Sequence, residues 1–531
     1  MMPTVADRLV ARLVEAGVSH IFGMPGGAGN LDLIDAARRA GMRFVLAATE
    51  TGGAIAAIAQ AEITGRPGAC LTTLGPGVAS VVNGIACAKL DRVPLIVFTD
   101  SHPAPAAACT HQRLDHVALL TPVTNWSATL SADCAEASIV EALRRAAQMP
   151  PAGPVHLDCP GDVLSAAAPD HKPAIVDRAR PSSAMPPAFA DRLSTARKPL
   201  LLVGLGARRD ASAAAIRRLC EIRRLPALVT YKAKGVVPDD HEWFGGLFTN
   251  GAIERPLVDG ADLLIGVGLD PVELIPRPWT FSQPIVSCAE SPMDNRHVPF
   301  EAEAIGDIPA TLAQVEARLE RSDWEVSVVQ GSRASQQQGI ADAATGLSPL
   351  AVVDVAARKL AHAARVTVDA GAHMFPATIG WPAYEPNQML ISNGLSTMGF
   401  ALPAAIGAAL LDRNRPVVAL TGDGGLLMCA GELATAVREE LHIIVIVFAD
   451  EALSLIKVKQ LQRRLPESGV ALGRVSWPAV AAGFGAAAFS AGDEVQLGRA
   501  LDQAITQRGP SVVEAKINPA QFVGTLRAVR G

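Results

Sequence analysis

The chain has 531 residues, of which 49% are hydrophobic and 19% are charged. This apolar content excludes a disordered chain, and at one domain per roughly 100 to 200 residues the length predicts about three domains. The 47 Lys and Arg residues against 52 Asp and Glu residues give a formal charge of −5, and the chain has no long basic run. We therefore expect no nucleic-acid partner.

Export and membrane segments are not expected. Asp7, Arg8 and Arg12 interrupt the apolar residues at the N-terminus, which is not the pattern of a signal peptide. The uncharged window from residue 386 to 411 contains Asn, Ser, Thr, Gly and Pro, so we expect no membrane span there. The eight cysteines are scattered without a CxxC pair, which predicts a reduced, cytoplasmic protein without a structural zinc site.

Strand-like apolar runs alternate with amphipathic helix patterns along three stretches of the chain. In the first stretch, residues 5–17 predict a helix, and four short apolar runs predict buried strands: HIFGMPG, GACLTTLG, LIVFTD and PVHLDCP. The second stretch begins at KPLLLVGLGARRD and ends near Leu319, and a third block of the same type follows residue 346. This alternation predicts parallel sheets with right-handed crossovers.

The segments between these stretches are predicted linkers. Residues 165–187 contain five prolines and no hydrophobic period, and residues 333–346 form a polar run. The fold class we predict is α/β, with three doubly wound parallel-sheet domains at residues 1–165, 186–325 and 346–531. The first and third blocks are similar in size and type, so they are candidates for two related domains that flank a middle one.

The third block contains the strongest local pattern. Residues 417–425, VVALTGDGG, predict a buried strand that ends in a Gly-rich turn with one carboxylate, Asp423. The run GELATAVREEL predicts a crossover helix, and HIIVIVF predicts a second strand that ends at Asp450. Both carboxylates then follow the carboxyl ends of parallel strands, where open α/β sheets bind their ligands.

Two interpretations of these carboxylates are open on spacing alone. Mg²⁺ prefers oxygen ligands, so Asp423 and Asp450 beside the N–H groups of a Gly-rich turn would suit a Mg²⁺ ion that bridges to a diphosphate. Alternatively, both residues are only helix N-caps and turn formers.

Several motifs, taken in order, resemble one enzyme superfamily. GDG (422–424) and then Asp450, 27 residues after Asp423, resemble the thiamine diphosphate signature. Residues 393–410 and TGDGGLLMCAGELATA resemble the acetolactate synthase branch, as do the N-terminal run IFGMPGGAGNLDLIDA, Glu50 and residues 71–100. The chain is thereby identified as a member of the thiamine diphosphate-dependent enzymes. The resemblance covers nearly the whole chain and implies a pyrimidine-binding, a middle and a diphosphate-binding domain.

The resemblance implies that Glu50 activates the cofactor. In this superfamily a glutamate from the opposite subunit hydrogen-bonds N1′ of the aminopyrimidine, so that the 4′ nitrogen can take the proton from the thiazolium C2. The alternative for Glu50 is an exposed acid at a strand end. Met398 matches the apolar side chain that bends the cofactor, although a Met without the family context is more often core filler. The other cofactor-binding residues that the resemblance implies are Gly26, Gly371, His373, Gly422, Asp423, Gly424 and Gly425.

The implied metal ligands are Asp423, Asp450 and the backbone carbonyl of Ala452. The usual second ligand of the family is asparagine, and Asp450 departs from that pattern. Aspartate offers the same oxygen, so we expect Mg²⁺ binding to survive with one more negative charge facing the diphosphate.

Three residues are candidates for the reacting centre, and one departure concerns the substrate pocket. Gln112 falls at the position of a glutamine that reaches the reacting centre in the acetolactate synthase branch, and His111 and His116 are candidates for acid/base groups. The lysine of the biosynthetic synthases is replaced by Asn125. The pocket has therefore diverged, and acetolactate as the product is not assumed.

A flavin in the middle domain is not expected. Acetolactate synthases bind FAD partly through an Arg-Phe-Asp-Asp-Arg stretch, and this chain has LIGVGLDPVELIPRPW (264–279) there instead. The turn GLGARR (204–209) is a lone Gly-x-Gly, which is too weak to indicate a nucleotide.

The resemblance implies a thiamine diphosphate-dependent carboligase or lyase that acts on 2-keto acids or aldehydes through a C2 ylide and an enamine. The alternatives are a 2-keto acid decarboxylase, a 2-hydroxyacyl lyase and a non-catalytic homologue that binds the cofactor. Because the residues of one site come from two subunits in this superfamily, we expect a homodimer or homotetramer with active sites at the subunit interfaces.

Overall fold

The structure is a computed structural model, and it describes residues 2–105, 107, 109–168, 184–293, 296–341 and 345–531. The chain forms three six-stranded, all-parallel sheets that are flanked by helices. This architecture confirms the predicted α/β fold class. The domain bounds 1–165, 186–325 and 346–531 stay a prediction.

The first sheet has the strand order β2-β1-β3-β4-β6-β5. Its strands are β1 His20–Gly23, β2 Arg43–Leu46, β3 Gly68–Thr72, β4 Leu95–Ser101, β5 Trp126–Thr129 and β6 Pro154–Pro160. The helices of this part of the chain are α1 Val5–Glu15, α2 Gly29–Arg39, α3 Glu50–Thr64, α4 Pro76–Leu90, α5 His116–Leu120, α6 Ala135–Leu143 and α7 Gly161–Leu164. The helix predicted at residues 5–17 is α1, which begins with a capping box between Thr4 and Asp7. The four predicted strands are β1, β3, β4 and β6.

The middle sheet has the order β12-β11-β10-β7-β8-β9, which is the strand order of dinucleotide-binding folds. Its strands are β7 Pro199–Val203, β8 Ala227–Val229, β9 Phe244–Leu247, β10 Leu263–Val267, β11 Ile285–Ala289 and β12 Phe300–Ile305. The helices here are α8 Pro187–Thr195, α9 Asp210–Arg223, α10 Arg255–Val258, α11 Ile308–Arg318 and α12 Val326–Ile340.

The third sheet has the order β14-β13-β15-β16-β18-β17 and therefore repeats the connectivity of the first. Its strands are β13 Arg365–Val368, β14 Met389–Ile391, β15 Val417–Gly422, β16 Ile443–Ala449, β17 Ala487–Ala491 and β18 Ser511–Lys516. The remaining helices are α13 Pro349–Leu360, α14 Met374–Gly380, α15 Ala401–Leu411, α16 Asp423–Cys429, α17 Glu432–Arg438, α18 Ser454–Gln462, α19 Trp477–Phe484, α20 Glu494–Ile505 and α21 Gln521–Arg530. The expectation that the first and third blocks are related in type agrees with this shared strand order.

The chain divides into two compact units. The first comprises Met1–Arg178, Gly394–Asn414 and Cys429–Ile443, and the second comprises Ala179–Asn393, Arg415–Met428 and Ile444–Gly531. Within the first unit, α15 packs closely on α3. Glycine at position 407 allows this approach, because a side chain there would clash with the backbone of Ala56. Gln60 of α3 donates to the carbonyl of Gly407 at 3.1 Å, which fixes this contact.

The predicted linkers have different outcomes. Most of the segment 165–187 lies outside the described residues. The second prediction was wrong over residues 333–340, which belong to helix α12. The reason is a long-range contact: the buried amide of Gln336 accepts from the N–H of Leu247 at 2.8 Å and donates to the carbonyl of Leu247 at 3.1 Å. A polar side chain thereby completes the hydrogen bonds of edge strand β9.

None of the helices in the described part of the chain has the length and apolar content needed to cross a bilayer.

In the GLGARR turn after β7, a backbone N–H bonds to a side chain of the same domain, Glu273. The buried carboxylate of Glu273 accepts from the N–H of Leu205 at 2.7 Å and from the hydroxyl of Thr230 at 2.6 Å. Burial, together with the nearby charge of Asp270, raises the pKa of Glu273 to about 7, and the hydrogen bonds from Thr230 and Leu205 limit the rise. A raised pKa in the folded state means that this group stabilises the fold at low pH and loses that contribution as the pH rises to about 7.

Replacing Glu273 with glutamine should change how stability depends on pH. Near pH 5 the wild-type carboxyl is protonated and resembles the amide, so both proteins should have similar stability. By about pH 8 the wild type holds a buried charge, and the variant should have gained roughly 2 kcal/mol relative to it. Denaturant unfolding followed by circular dichroism across this pH range measures the difference. A constant difference between the two proteins would contradict the prediction.

Candidate active site

Three adjacent strands of the third sheet end in the predicted site residues. Gly371 and His373 follow β13, Asp423 follows β15, and Asp450 follows β16. The strand order reverses between β13 and β15, and ligands of open parallel sheets bind at such a switch point. The predicted Gly-rich turn is in fact the start of a helix, because α16 begins at Asp423.

Asp423 joins three elements of the second unit. Its Oδ1 accepts the indole N–H of Trp477 at 2.6 Å, and its Oδ2 accepts the N–H groups of Asp450 at 2.8 Å and Glu451 at 2.7 Å. The side chain is buried. A local N-cap does not explain donors that lie 27 or more residues along the chain, so the carboxylate does more than start a helix.

Asp450 has a local set of donors. Its oxygens accept from the hydroxyl of Ser454 and from the N–H of Ala452, so the turn-former interpretation holds in part for this residue, whereas the N-cap of α18 is Leu453. Burial raises the pKa of Asp450 to about 6, and the charge of Asp423 adds to the rise. Hydrogen bonds from Leu453 to Val470 and from Leu472 to Glu451 hold the following turn in place, at 2.8 and 2.9 Å.

The donor set fits Mg²⁺. In the described part of the chain, no cluster of three or more His, Cys, Asp or Glu side chains is arranged to hold a metal. The candidate set here has two such side chains and one backbone carbonyl. Two carboxylates and the carbonyl of Ala452 are oxygen ligands, and Mg²⁺ commonly takes one or two carboxylates with phosphate and water completing its shell. A carboxylate has about four lone-pair positions, so Asp423 can accept its hydrogen bonds and still ligate a cation.

A phosphate group also fits beside His373. The ring is buried and stacks on Phe448, and Nε2 has no hydrogen-bond partner among the described residues. Burial lowers the pKa of His373 to about 4. A Cβ at Gly371, where φ is +154°, would lie 2.8 Å from the ring, and one at Gly422 would lie 3.2 Å from it. The two glycines therefore keep the Nδ1–Cε1 edge of the ring free of side chains, and an anion beside Nε2 would give that atom a partner.

Sequence reasoning missed Asp369, which lies directly after β13. Its carboxylate accepts the hydroxyl of Thr421 and the N–H of Ala370, both at 2.9 Å. A side chain at Gly425 would clash with this carboxylate, and the neighbouring Gly424 is buried. Gly425 is thus required by packing as well as by the predicted phosphate contact.

In the first unit, Glu50 begins helix α3. Thr49 caps this helix by accepting the N–H of Gly52 at 2.9 Å. Oε1 of Glu50 lies 3.1 Å from where a Cβ of Gly77 would be, so a larger residue at the start of α4 would crowd the carboxylate. Glu50 is partly buried, which excludes the alternative of a fully exposed strand-end acid.

Glu432 is a second residue that sequence reasoning missed. Its buried carboxylate accepts the N–H groups of Ala48 and Thr49, each at 3.1 Å, and the hydroxyl of Thr435 at 2.9 Å. Burial raises the pKa of Glu432, and these hydrogen bonds counter that rise. The acid lies in GELATA, which the sequence analysis interpreted only as a crossover helix. In the structure it holds the turn that presents Glu50.

The remaining predicted residues of the first unit are Gly26, Met398, Gln112 and His111. Gly26 packs on Thr73, and Met398 is partly buried in the turn before α15. Gln112 is exposed with a φ of +59°, and His111 is exposed as well.

His116, the other acid/base candidate, is buried and has a partner on each ring nitrogen. Its Nε2 accepts the N–H of Gly75 at 3.2 Å, and its Nδ1 lies 2.9 Å from Oδ1 of Asp158. Both ring nitrogens are thereby occupied. A Cβ at Gly75 would lie 2.6 Å from the carbonyl of Gln112, so His116 and Asp158 hold the turn on which Gln112 rests.

The structure thus groups the predicted residues by unit. Glu50, Gly26, Gln112, His111 and Met398 lie in the first unit, and the diphosphate and metal candidates lie in the second.

A repeated parallel sheet with polar groups at its switch point is the arrangement of an α/β enzyme with a ligand at the sheet edge. Three family models match the chain, all described as thiamine pyrophosphate enzyme: the N-terminal TPP binding domain at residues 3–119, the central domain at 187–315 and the C-terminal TPP binding domain at 369–515. The chain belongs to the thiamine pyrophosphate (thiamine diphosphate) enzyme family.

The relatives agree with this family. The chain is 31% identical over 540 residues to acetolactate synthase of Bacillus subtilis, which covers 97% of this chain and 93% of the relative. It is 30% identical over 529 residues to a probable 2-ketoarginine decarboxylase of Pseudomonas aeruginosa, with coverage of 97% and 94%. It is 29% identical over 545 residues to the acetolactate synthase isozyme 1 large subunit of Escherichia coli, with coverage of 98% and 95%. The resemblance to the acetolactate synthase branch is confirmed.

Replacing Glu432 with glutamine should destabilise the first unit. An amide can keep the bonds that Oε1 accepts, but its NH₂ group replaces Oε2, so the second bond from the N–H of Ala48 and the bond from the hydroxyl of Thr435 are lost. We expect a loss of about 1–3 kcal/mol in the free energy of unfolding. The matched control is Glu440→Gln just after the same helix, which removes an exposed carboxylate and should change stability by less than about 0.5 kcal/mol. Equal unfolding midpoints for the two variants would refute the role given to Glu432.

Proposed function

We propose that this protein is a thiamine diphosphate-dependent carboligase or lyase that acts on 2-keto acids or aldehydes. The observation that carries the proposal is the pair Asp423 and Asp450 at adjacent strand ends of a chain that belongs to the thiamine pyrophosphate enzyme family. A 2-keto acid decarboxylase is the second candidate, because one full-length relative is named a probable 2-ketoarginine decarboxylase. A 2-hydroxyacyl lyase has the same chemistry of bond cleavage.

The second unit would hold the phosphate end of the cofactor. Asp423, Asp450 and the carbonyl of Ala452 would ligate Mg²⁺. His373 would donate to a phosphate oxygen once an anion favours a proton on Nε2, and the glycines 371, 422, 424 and 425 would let the phosphates approach the backbone. When bound, thiamine diphosphate would supply a C2 carbanion as nucleophile and, in its thiazolium ring, an acceptor for the electron pair of the broken C–C bond.

The first unit would hold the ring end and the substrate. The carboxyl of Glu50 would share a proton with N1′ of the aminopyrimidine, and Glu432 would keep that carboxyl in place through residues 48 and 49. Met398 and Gly26 would contact the cofactor, and Gln112 and His111 would face the substrate. We also propose that Glu50 acts on the cofactor of a second copy of the chain, in a cytoplasmic homodimer or homotetramer.

We propose that the middle domain binds no FAD. The turn after β7 would be the place for a nucleotide phosphate, and Glu273 already accepts the N–H of Leu205 there. A second negative charge at this buried carboxylate would be unfavourable.

Replacing Glu50 with glutamine should separate catalysis from cofactor binding. The amide keeps the shape of the side chain but cannot move a proton, so we expect turnover of pyruvate or benzoylformate, with and without an added aldehyde, to fall at least about 100-fold. Thiamine diphosphate binding, measured by calorimetry with Mg²⁺, should stay within a few-fold of the wild type. Unchanged turnover in the variant would contradict the catalytic role. A wild type that binds the cofactor and turns over neither substrate class would favour the non-catalytic homologue.

A further inference from the structure

We propose that Trp477 is a positioning residue that sets the affinity of the metal site through its indole N–H bond to Asp423. The inference rests on the proposed function, because it takes Asp423 as a metal ligand. Nothing in the GDG pattern or in the spacing to Asp450 indicates this residue, which lies 54 positions after Asp423.

The indole N–H bonds to Oδ1 of Asp423, the carboxylate oxygen that accepts fewer hydrogen bonds. Trp477 is 1% exposed, and its Nε1 lies 2.6 Å from Oδ1 of Asp423. The backbone N–H groups of Asp450 and Glu451 both bond to the other oxygen, Oδ2. In the described part of the chain, Trp477 is therefore the side-chain donor to Asp423, and Oδ1 keeps a lone pair for a cation.

The indole is held rigidly by its own surroundings. Trp477 is the first residue of α19, and a proline occupies the second position of this helix. The helix packs against β17 and β18. A buried aromatic side chain has little freedom to turn, so the donor is fixed before any ligand arrives. Three donors then hold the Asp423 carboxylate in one orientation.

Loss of the indole N–H should weaken the metal site in two ways. Oδ1 would lose its donor in a buried setting, and the carboxylate would be held only by the two hydrogen bonds to Oδ2. Outer partners that orient a metal ligand typically change metal affinity by about 10- to 100-fold when they are removed. We expect a change of that size, because the indole is the donor to Oδ1, the oxygen that is left for a cation.

The test uses the full-length protein, thiamine diphosphate and Mn²⁺ as a spectroscopic substitute for Mg²⁺. Free Mn²⁺ is measured by electron paramagnetic resonance during titration of the wild type, Trp477→Phe and Trp381→Phe. Trp381 is the matched control because it is equally buried in the same unit, yet its Nε1 has no hydrogen-bond partner among the described residues. We expect the Kd for Mn²⁺ to rise about 10- to 100-fold in Trp477→Phe and to stay near the wild-type value in Trp381→Phe.

A second measurement decides the matter if Trp477→Phe does not fold. Addition of Mg²⁺ to the cofactor-containing wild type should change tryptophan fluorescence, and Trp381→Phe should keep that change. Equal Mn²⁺ affinity in the two folded variants, or metal binding without any fluorescence change in the wild type, would overturn the role of Trp477. A wild type that binds no Mn²⁺ in the presence of thiamine diphosphate would instead overturn the proposed metal site itself.

Discussion

Buried carboxylates that accept backbone N–H groups hold the loops of this protein in place. Asp423 bonds to residues 450 and 451, Glu432 bonds to residues 48 and 49, and Glu273 bonds to residue 205. A buried charge is costly unless hydrogen bonds compensate for it, so each carboxylate strongly favours one loop conformation. The same interaction therefore orients Asp423 beside Asp450, holds the turn before Glu50 and occupies the turn after β7 in the middle domain.

The sheets place these loops at the edge where open α/β sheets generally bind ligands. The first and third sheets share one strand order, and in each the order reverses between the first and third strands of that sheet. The middle sheet has the order of dinucleotide-binding folds, but the turn after β7 donates its N–H to a carboxylate of the same domain. Fold alone therefore does not assign a nucleotide to the middle domain, because the ligand depends on the groups at the strand ends.

Local sequence patterns predicted the strands that position the site but not the contacts that hold it. The apolar runs of β15 and β16 are unbroken, so the positions of Asp423 and Asp450 after them followed from the sequence. Glu432 and Trp477 act on residues far along the chain, and no local pattern encodes such a contact. Gln336 shows the same limit, since a polar run predicted a linker where a buried amide pairs with a strand.

The most direct test of the account is a crystal structure with thiamine diphosphate and Mg²⁺ bound. The account predicts a metal at the carboxyl edge of the third sheet, about 2.1 Å from oxygens of Asp423, Asp450 and Ala452, with diphosphate oxygens completing its shell. The hydrogen bonds from residues 450, 451 and 477 to Asp423 should remain. A metal held by other residues, or an Asp423 side chain that has turned away from these donors, would contradict it.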